Sequence, residues 1–212
     1  MGAVTLRPTH DLTIGVLAMQ GAFVEHARAF EEAGAAAREV RTERELAEVD
    51  AIVIPGGEST AIRKALDRCG LLEPLRERIA DGMPALGTCA GLIVLADTAP
   101  DGAPPCFGLF DVELERNGFG RQAHSFEVAV KLDAIRDAAG PAILPGVFIR
   151  APRIMRIGDG VAVVGRITDG PHADEPVVVR QGSLLGATFH PELTPDRALH
   201  RMFVELVSAS GP

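Results

Sequence analysis

The patterned part of the chain begins at Leu12. Leu12-Thr13-Ile14-Gly15-Val16-Leu17-Ala18 is almost wholly apolar and predicts a buried strand that ends at Met19-Gln20-Gly21. Phe23, Ala27 and Phe30 then recur at helical spacing, with charged Glu25, Arg28 and Glu31 elsewhere, and Gly34 is a natural stop. His26 falls on the solvated side of that predicted helix. Ala36 to Val40 predicts a second strand. Ala51-Ile52-Val53-Ile54 predicts a third, apolar throughout, as a parallel strand covered on both faces would be. It runs into Pro55-Gly56-Gly57-Glu58-Ser59-Thr60, where Ser59 or Thr60 is expected to cap the next helix. That helix carries Ile62, Leu66 and Cys69 on one face and ends at Gly70, which gives Cys69 a core-filling role. A further helix shows Leu72, Leu75 and Ile79 and stops at Gly82. A short strand up to Thr88 and a helix after Gly91 follow.

Strands and helices in this order predict a doubly wound α/β fold, a mostly parallel sheet with helices on both faces. Ligands bind such sheets beyond the carboxyl ends of the strands. Gln20, Gly56-Gly57 and Cys89 all follow strands, so they are expected to converge on one edge. Residues 97–108 are rich in Pro, Gly and Ala and read as a loop. Beyond Phe110 the texture turns β-rich, with predicted strands at 112–114, 126–130, 147–150, 161–167, 177–180 and 184–189. Leu199, Met202, Phe203, Leu206 and Val207 form the apolar stripe of a last amphipathic helix, with His200 on its surface. No repeat or linker marks a second domain, so residues 1–11 are expected to be a flexible extension and 12–212 one domain.

Composition narrows the partners. The 212 residues carry a net charge of -8, which argues against nucleic acid. No apolar run is long enough to span a membrane and no signal peptide is visible, so a cytoplasmic home is expected. The three cysteines, Cys69, Cys89 and Cys106, are odd in number and lack a C-x-x-C pair, against a disulfide framework or a cysteine zinc site.

The chemistry centres on Gly87-Thr88-Cys89-Ala90-Gly91, the cysteine counterpart of the G-x-S-x-G nucleophile elbow. Such an elbow forces its nucleophile into a strained strand-to-helix turn, and the flanking glycines leave room for it. The sulfur then sits at the start of a helix, which favours thiolate, and the Ala90 N–H is placed to help hold an oxyanion. A buried structural cysteine between packing glycines would have the same pentapeptide. A thiolate that attacks an acyl carbon needs a base and an orienter for it. Of the six histidines, His10 sits in the extension, His26 and His200 on helix surfaces, and His172 in a turn after Gly170-Pro171. His124, between Ala123 and Ser125, is less easily set aside. His190 is the best candidate: it ends an apolar strand, Pro191 holds it extended, and Glu192 two residues on faces the same side.

Gly-x-Cys-x-Gly, a later His-Pro-Glu and Pro-Gly-Gly after a strand together resemble the class I glutamine amidotransferases, which have a flavodoxin-like fold. P-G-G-E-S-T at 55–60, G-T-C-A-G-L-I at 87–93, E-R-N-G-F-G-R-Q at 115–122, S-F-E at 125–127, F-I-R-A-P at 148–152 and F-H-P-E-L-T at 189–194 are similar to one branch of them. That branch comprises the glutaminase subunits of pyridoxal 5′-phosphate synthase. The resemblance runs from Leu12 to about Val207. It implies hydrolysis of L-glutamine to glutamate and ammonia, with Cys89 as nucleophile, His190 as base and acid, and Glu192 as orienter. It implies an oxyanion hole from Gly57 and Ala90, and a glutamine pocket including Gly57, Glu58, Ser59, Arg116, Ile149 and Arg150. Gln20 matches a position near the ammonia route and the partner interface. The implied partner is the synthase subunit, and neither cofactor nor metal is implied. Charged Arg116 and Arg150 suit the carboxylate of an amino acid. Rival readings are a class I amidotransferase serving histidine or nucleotide synthesis, a γ-glutamyl hydrolase, and a binding module that has lost the chemistry.

Overall fold

The computed structural model describes residues 7–98, 106–119, 125–137 and 140–210. Strand β1 (Thr13–Leu17) leads to helix α1 (Phe23–Glu32), β2 (Ala36–Val40), the short α2 (Glu43–Leu46) and β3 (Ala51–Ile54). Helices α3 (Ser59–Arg68) and α4 (Leu72–Ala80) precede β4 (Ala85–Thr88) and α5 (Ala90–Leu95). Then come β5 (Ala96–Thr98), β6 (Phe110–Glu115), β7 (Phe126–Asp137), β8 (Gly140–Phe148), β9 (Arg153–Ile157), β10 (Ala162–Ile167), β11 (Pro176–Gln181), β12 (Leu184–Ala187) and α6 (Ala198–Ser210).

Nine strands form one sheet in the order β2-β1-β3-β4-β12-β11-β10-β7-β8. The α/β expectation holds, with a difference in balance. The half from β2 to β12 is parallel, and every pairing from β12 to β8 is antiparallel. The mixed sheet follows from the connections: helices link the first strands, whereas only two residues separate β7 from β8 and β11 from β12, and hairpins are antiparallel. Apolar alternation then covers both faces. Ile14, Val16, Ala51, Val53 and Leu86 pack with Phe30 of α1 and Leu199 and Phe203 of α6. Ile52, Ile54 and Ala85 pack on the other side with Ile62, Leu66, Leu75, Ile79 and Leu92. Phe110, Val112 and Ile154, from a second sheet of order β5-β6-β9, close that second layer.

Residues 1–6 of the expected extension lie outside the described residues, as do 120–124, and with them His124 and the end of the 115–122 motif. Arg7 is tied down: its side chain pairs with Asp50 at 2.6 Å and its N–H donates to the Ser208 carbonyl. Three further details differ from expectation. Glu58, rather than Ser59 or Thr60, caps α3, accepting from the N–H groups of Thr60 and Ala61 at 3.0 and 2.7 Å. Cys69 is exposed past the end of α3 instead of filling the core. His26 and His200, expected on helix surfaces, are both fully buried, because α1 and α6 pack on each other as well as on the sheet.

Candidate active site

The site forms where β3, β4 and β12 end side by side. β12 pairs in parallel with β4, placing Gly186 beside Gly87 and Ala187 beside Thr88. Cys89 and His190, far apart in sequence, are thereby delivered to neighbouring strand ends. Cys89 has φ 50 and ψ -108, a backbone that non-glycine residues rarely adopt, so the strained elbow expected from sequence is present. Its N–H donates to the Ala187 carbonyl at 2.8 Å, pinning the turn to β12. Gly91 is required for a reason the pattern alone does not give: a Cβ there would run into the carbonyl oxygen of Ile54 on β3. Gly56 has a comparable role, since a Cβ there would strike the His190 ring.

His190 Nδ1 and Glu192 Oε1 are 2.8 Å apart. The pairing expected from sequence is present, but its cause differs: Pro191–Leu193 is a 3-10 turn, and that turn brings the carboxylate back under the imidazole. The His190 N–H donates to the Val147 carbonyl at 2.9 Å, so the end of β8 steadies His190. Phe148, next to Val147, stacks on Phe126 with ring centroids 4.7 Å apart and meets Phe189, next to His190, at a tilt with centroids 5.4 Å apart. Burial alone would pull the His190 pKa down. Hydrogen bonds to Cys89 and Glu192, and the charges on both, outweigh burial and raise it to about 10. Burial pushes the Glu192 carboxyl up, but electrostatic attraction and hydrogen bonds from His26 and His190 hold it far below the usual carboxylate range.

A cavity of about 250 Å³ opens over the sulfur, below the roughly 300–1,000 Å³ typical of drug-sized ligand sites and suited to a small metabolite. Cys89, His190, Gly57, Glu58, Ser59, Ala90, Arg116, Ile149 and Arg150, all expected from sequence, lie in its wall. Ile93, Asn117 and Pro152 complete it. Asn117 could have been suspected: an Asn before Gly118 is a turn signal, and its φ is 50. The Ser59 hydroxyl is buried and has no hydrogen-bond partner among the described residues, which leaves it available to a ligand. The Glu58 carboxylate, besides capping α3, lies 3.8 Å from the Arg116 guanidinium. Burial works to raise its pKa, but hydrogen bonds from Thr60 and Ala61 and the Arg116 charge lower it overall. Gln20 is outside the cavity wall, with its side-chain amide donating to the Glu58 carbonyl at 3.0 Å. Among the described residues no group of His, Cys, Asp and Glu side chains could hold a metal ion, and no helix is long and apolar enough to cross a membrane.

The raised His190 pKa carries a sign for stability. A histidine that gains partners on folding stabilises fully below its unfolded value of about 6.5, and that contribution is lost as pH rises through about 10. The stability gap between the wild-type chain and His190→Asn is therefore expected to narrow between pH 6.5 and 10, by on the order of a few kcal/mol. Urea unfolding across that range checks it; a gap independent of pH would contradict the assignment.

Residues 16–209 match the model of the SNO glutamine amidotransferase family. The chain is 53% identical over 196 residues to the pyridoxal 5′-phosphate synthase subunit PdxT of Parafrankia sp. (strain EAN1pec), covering 92% of each protein. It is 51% identical to the protein of the same name from Salinispora arenicola (strain CNS-205), covering 93% of this chain and 97% of that one. Its fold is similar to a crystal structure described as a glutamine amidotransferase, with a TM-score of 0.80 and 44% identity over 92% of this chain and 98% of the other.

Proposed function

Because the chain belongs to the SNO glutamine amidotransferase family, we propose that it is the glutaminase subunit of a pyridoxal 5′-phosphate synthase, hydrolysing L-glutamine and handing the ammonia to a synthase subunit. The observation that carries the chemistry is the cavity over Cys89, with His190 in its wall and Glu192 hydrogen-bonded behind His190 at 2.8 Å. The relatives that carry the synthase name support the partner.

In this reading Cys89 sulfur attacks the side-chain amide carbon of glutamine. The carbonyl oxygen takes the negative charge and is held by the N–H groups of Gly57 and Ala90. His190, protonated at neutral pH by its partners, gives its proton to the departing ammonia, leaving a thioester on Cys89. Neutral His190 then takes a proton from water, which cleaves the thioester and frees glutamate. Glu192 keeps the imidazole oriented through both steps. Arg116 and Arg150 grip the α-carboxylate, Glu58 faces the α-ammonium, and Ser59 and Ile149 shape the pocket. Gln20, bonded to the Glu58 carbonyl, stands by the loop at which ammonia leaves and the partner docks. The acceptor chemistry belongs to the partner, and the complex works in the cytoplasm.

The test is to mix the chain with a candidate synthase subunit and follow glutamate and pyridoxal 5′-phosphate together. Glutamate release at saturating glutamine is expected to rise by at least about tenfold on adding the partner, because an oxyanion donor brought into place is worth roughly 10²–10³ in turnover. Glutamate release without any pyridoxal 5′-phosphate, with a partner shown to bind, would reject the synthase assignment and leave a glutaminase of another system.

A further inference from the structure

Behind the second oxygen of Glu192 stand two buried histidines that the reaction above does not use. His26 Nε2 lies 3.2 Å from Glu192 Oε2 and 3.2 Å from Thr88 Oγ1. His26 Nδ1 lies 3.1 Å from His200 Nε2. Both side chains are fully buried, on α1 and α6, and Phe30 closes over them, its ring centroid 4.8 Å from that of His200. A continuous file thus runs from Cys89 through His190, Glu192 and His26 to His200.

We propose that His26 is a positioning residue of the site: its Nε2–H holds the carboxylate of Glu192 from behind, and His200 holds His26 in the tautomer that can do so. The hydrogen positions follow from what each atom can accept. An ionised carboxylate only accepts, so a bare Nε2 lone pair facing Oε2 would repel it, and Nε2 must carry a hydrogen. That hydrogen is shared between Glu192 Oε2 and Thr88 Oγ1, which is why Oε2 has no well-aligned bond of its own. At the far end, His200 Nδ1 is buried with no hydrogen-bond partner among the described residues. A neutral His200 has a single hydrogen, and an unpaired buried N–H is costly, so that hydrogen sits on Nε2, where His26 can receive it. Burial holds the His200 pKa well below the usual histidine value, in keeping with a neutral ring. His26 is then the neutral Nε2–H tautomer, accepting at Nδ1 and donating toward Glu192.

The arrangement joins both arms of the site. Thr88 immediately precedes Cys89 on β4, and Glu192 lies in the turn after His190, so one imidazole ties the nucleophile's strand to the orienter's turn. The charged and titratable groups that face this file are His190 and Cys89 on the Glu192 side, and Arg197 and Arg201 of α6 near His200. Without the His26 donor, Glu192 loses one of the groups that keep it ionised, and it protonates at a higher pH.

The turnover consequence rests on the glutaminase reading; the hydrogen arrangement does not. With the synthase subunit present, His26→Leu is expected to lower kcat for glutamine hydrolysis roughly ten- to hundredfold. KM should not change, because His26 is absent from the cavity wall. The acid limb of the kcat profile should move to higher pH. His26→Gln, whose amide N–H can still reach Glu192, should recover most of the loss. An unchanged kcat, a loss confined to KM, or equal losses in the two variants would overturn the proposal. Should His26→Leu not fold, ¹⁵N-histidine NMR of the wild-type chain decides: His26 and His200 are expected as neutral Nε2–H tautomers, and a hydrogen on His26 Nδ1 would refute the arrangement. If the wild-type complex released no glutamate, the glutaminase reading would fail and the NMR result would still judge His26.

Discussion

Replacing Cys89 by alanine is expected to lower glutamate release roughly 10⁴-fold or more, whatever partner is present, because the proposed reaction then loses its attacking atom and keeps only binding and oxyanion stabilisation. The structure separates this thiol sharply from the other two. Cys89 alone lies in the cavity wall, on a strained turn beside His190. Cys69 is exposed past the end of α3, its thiol 3.4 Å from the Leu66 carbonyl. Cys106 is held inert: burial raises its thiol pKa to about 11, with Arg63 opposing and Glu73 adding to the shift. Cys69→Ala and Cys106→Ala are therefore expected to keep normal turnover, and a thiol-alkylating glutamine analogue should label Cys89 alone. Near-normal activity in Cys89→Ala, or labelling at Cys106, would remove Cys89 from its role.

Gly57→Val is expected to lower kcat by roughly 10²–10³, the usual loss when one oxyanion donor is displaced. Two independent features oppose a side chain there. The φ of Gly57 is 150, which L side chains rarely adopt, and a Cβ would lie 2.5 Å from the Gln20 side-chain nitrogen. The positive φ strains a valine at this position, and relaxing the 56–57 segment would displace the N–H that the proposed reaction uses. Gly160→Ala serves as the control, since nothing lies within 4 Å of a Cβ built there. Turnover measured with the synthase subunit present checks the pair. A Gly57→Val enzyme with more than about a third of normal kcat would place the second oxyanion donor elsewhere.

The parts of the site legible in sequence were those set by short-range geometry. The elbow around Cys89 and the His190-Pro191-Glu192 pairing depend on a handful of consecutive residues, and both are present. The short α2 was legible too, though unread: Thr42 and Glu45 form a complete capping box. Arg153-Ile154-Met155-Arg156-Ile157, which lies outside the predicted strands, is an edge strand of the small sheet. What sequence could not give was the second neighbour of a helix. Glu25 and Arg28 flank His26 and mark its face as polar, yet α6 packs against that face and buries it. His200 was misjudged for the same reason, seen from the other helix. Helical periodicity reports contact with one surface; a helix held between a sheet and a second helix needs a wider buried arc, and histidine, amphipathic and small, fills it when a carboxylate waits inside. The antiparallel half of the sheet was equally hidden, since alternation identifies strands without saying which neighbour each will choose.

The place of β12 in the sheet has a consequence for synthesis on the ribosome. β12 fills the centre, between β4 and β11, yet it is made roughly 100 residues after β4. At about 5–20 residues per second, β4 waits roughly 5–20 s with one backbone edge unpaired. That edge is short and fully buried in the folded chain, Ala85-Leu86-Gly87-Thr88, and leads directly into Cys89. The nascent chain is therefore most exposed to mispairing in this interval, and the strand that brings His190 is also the one that closes it.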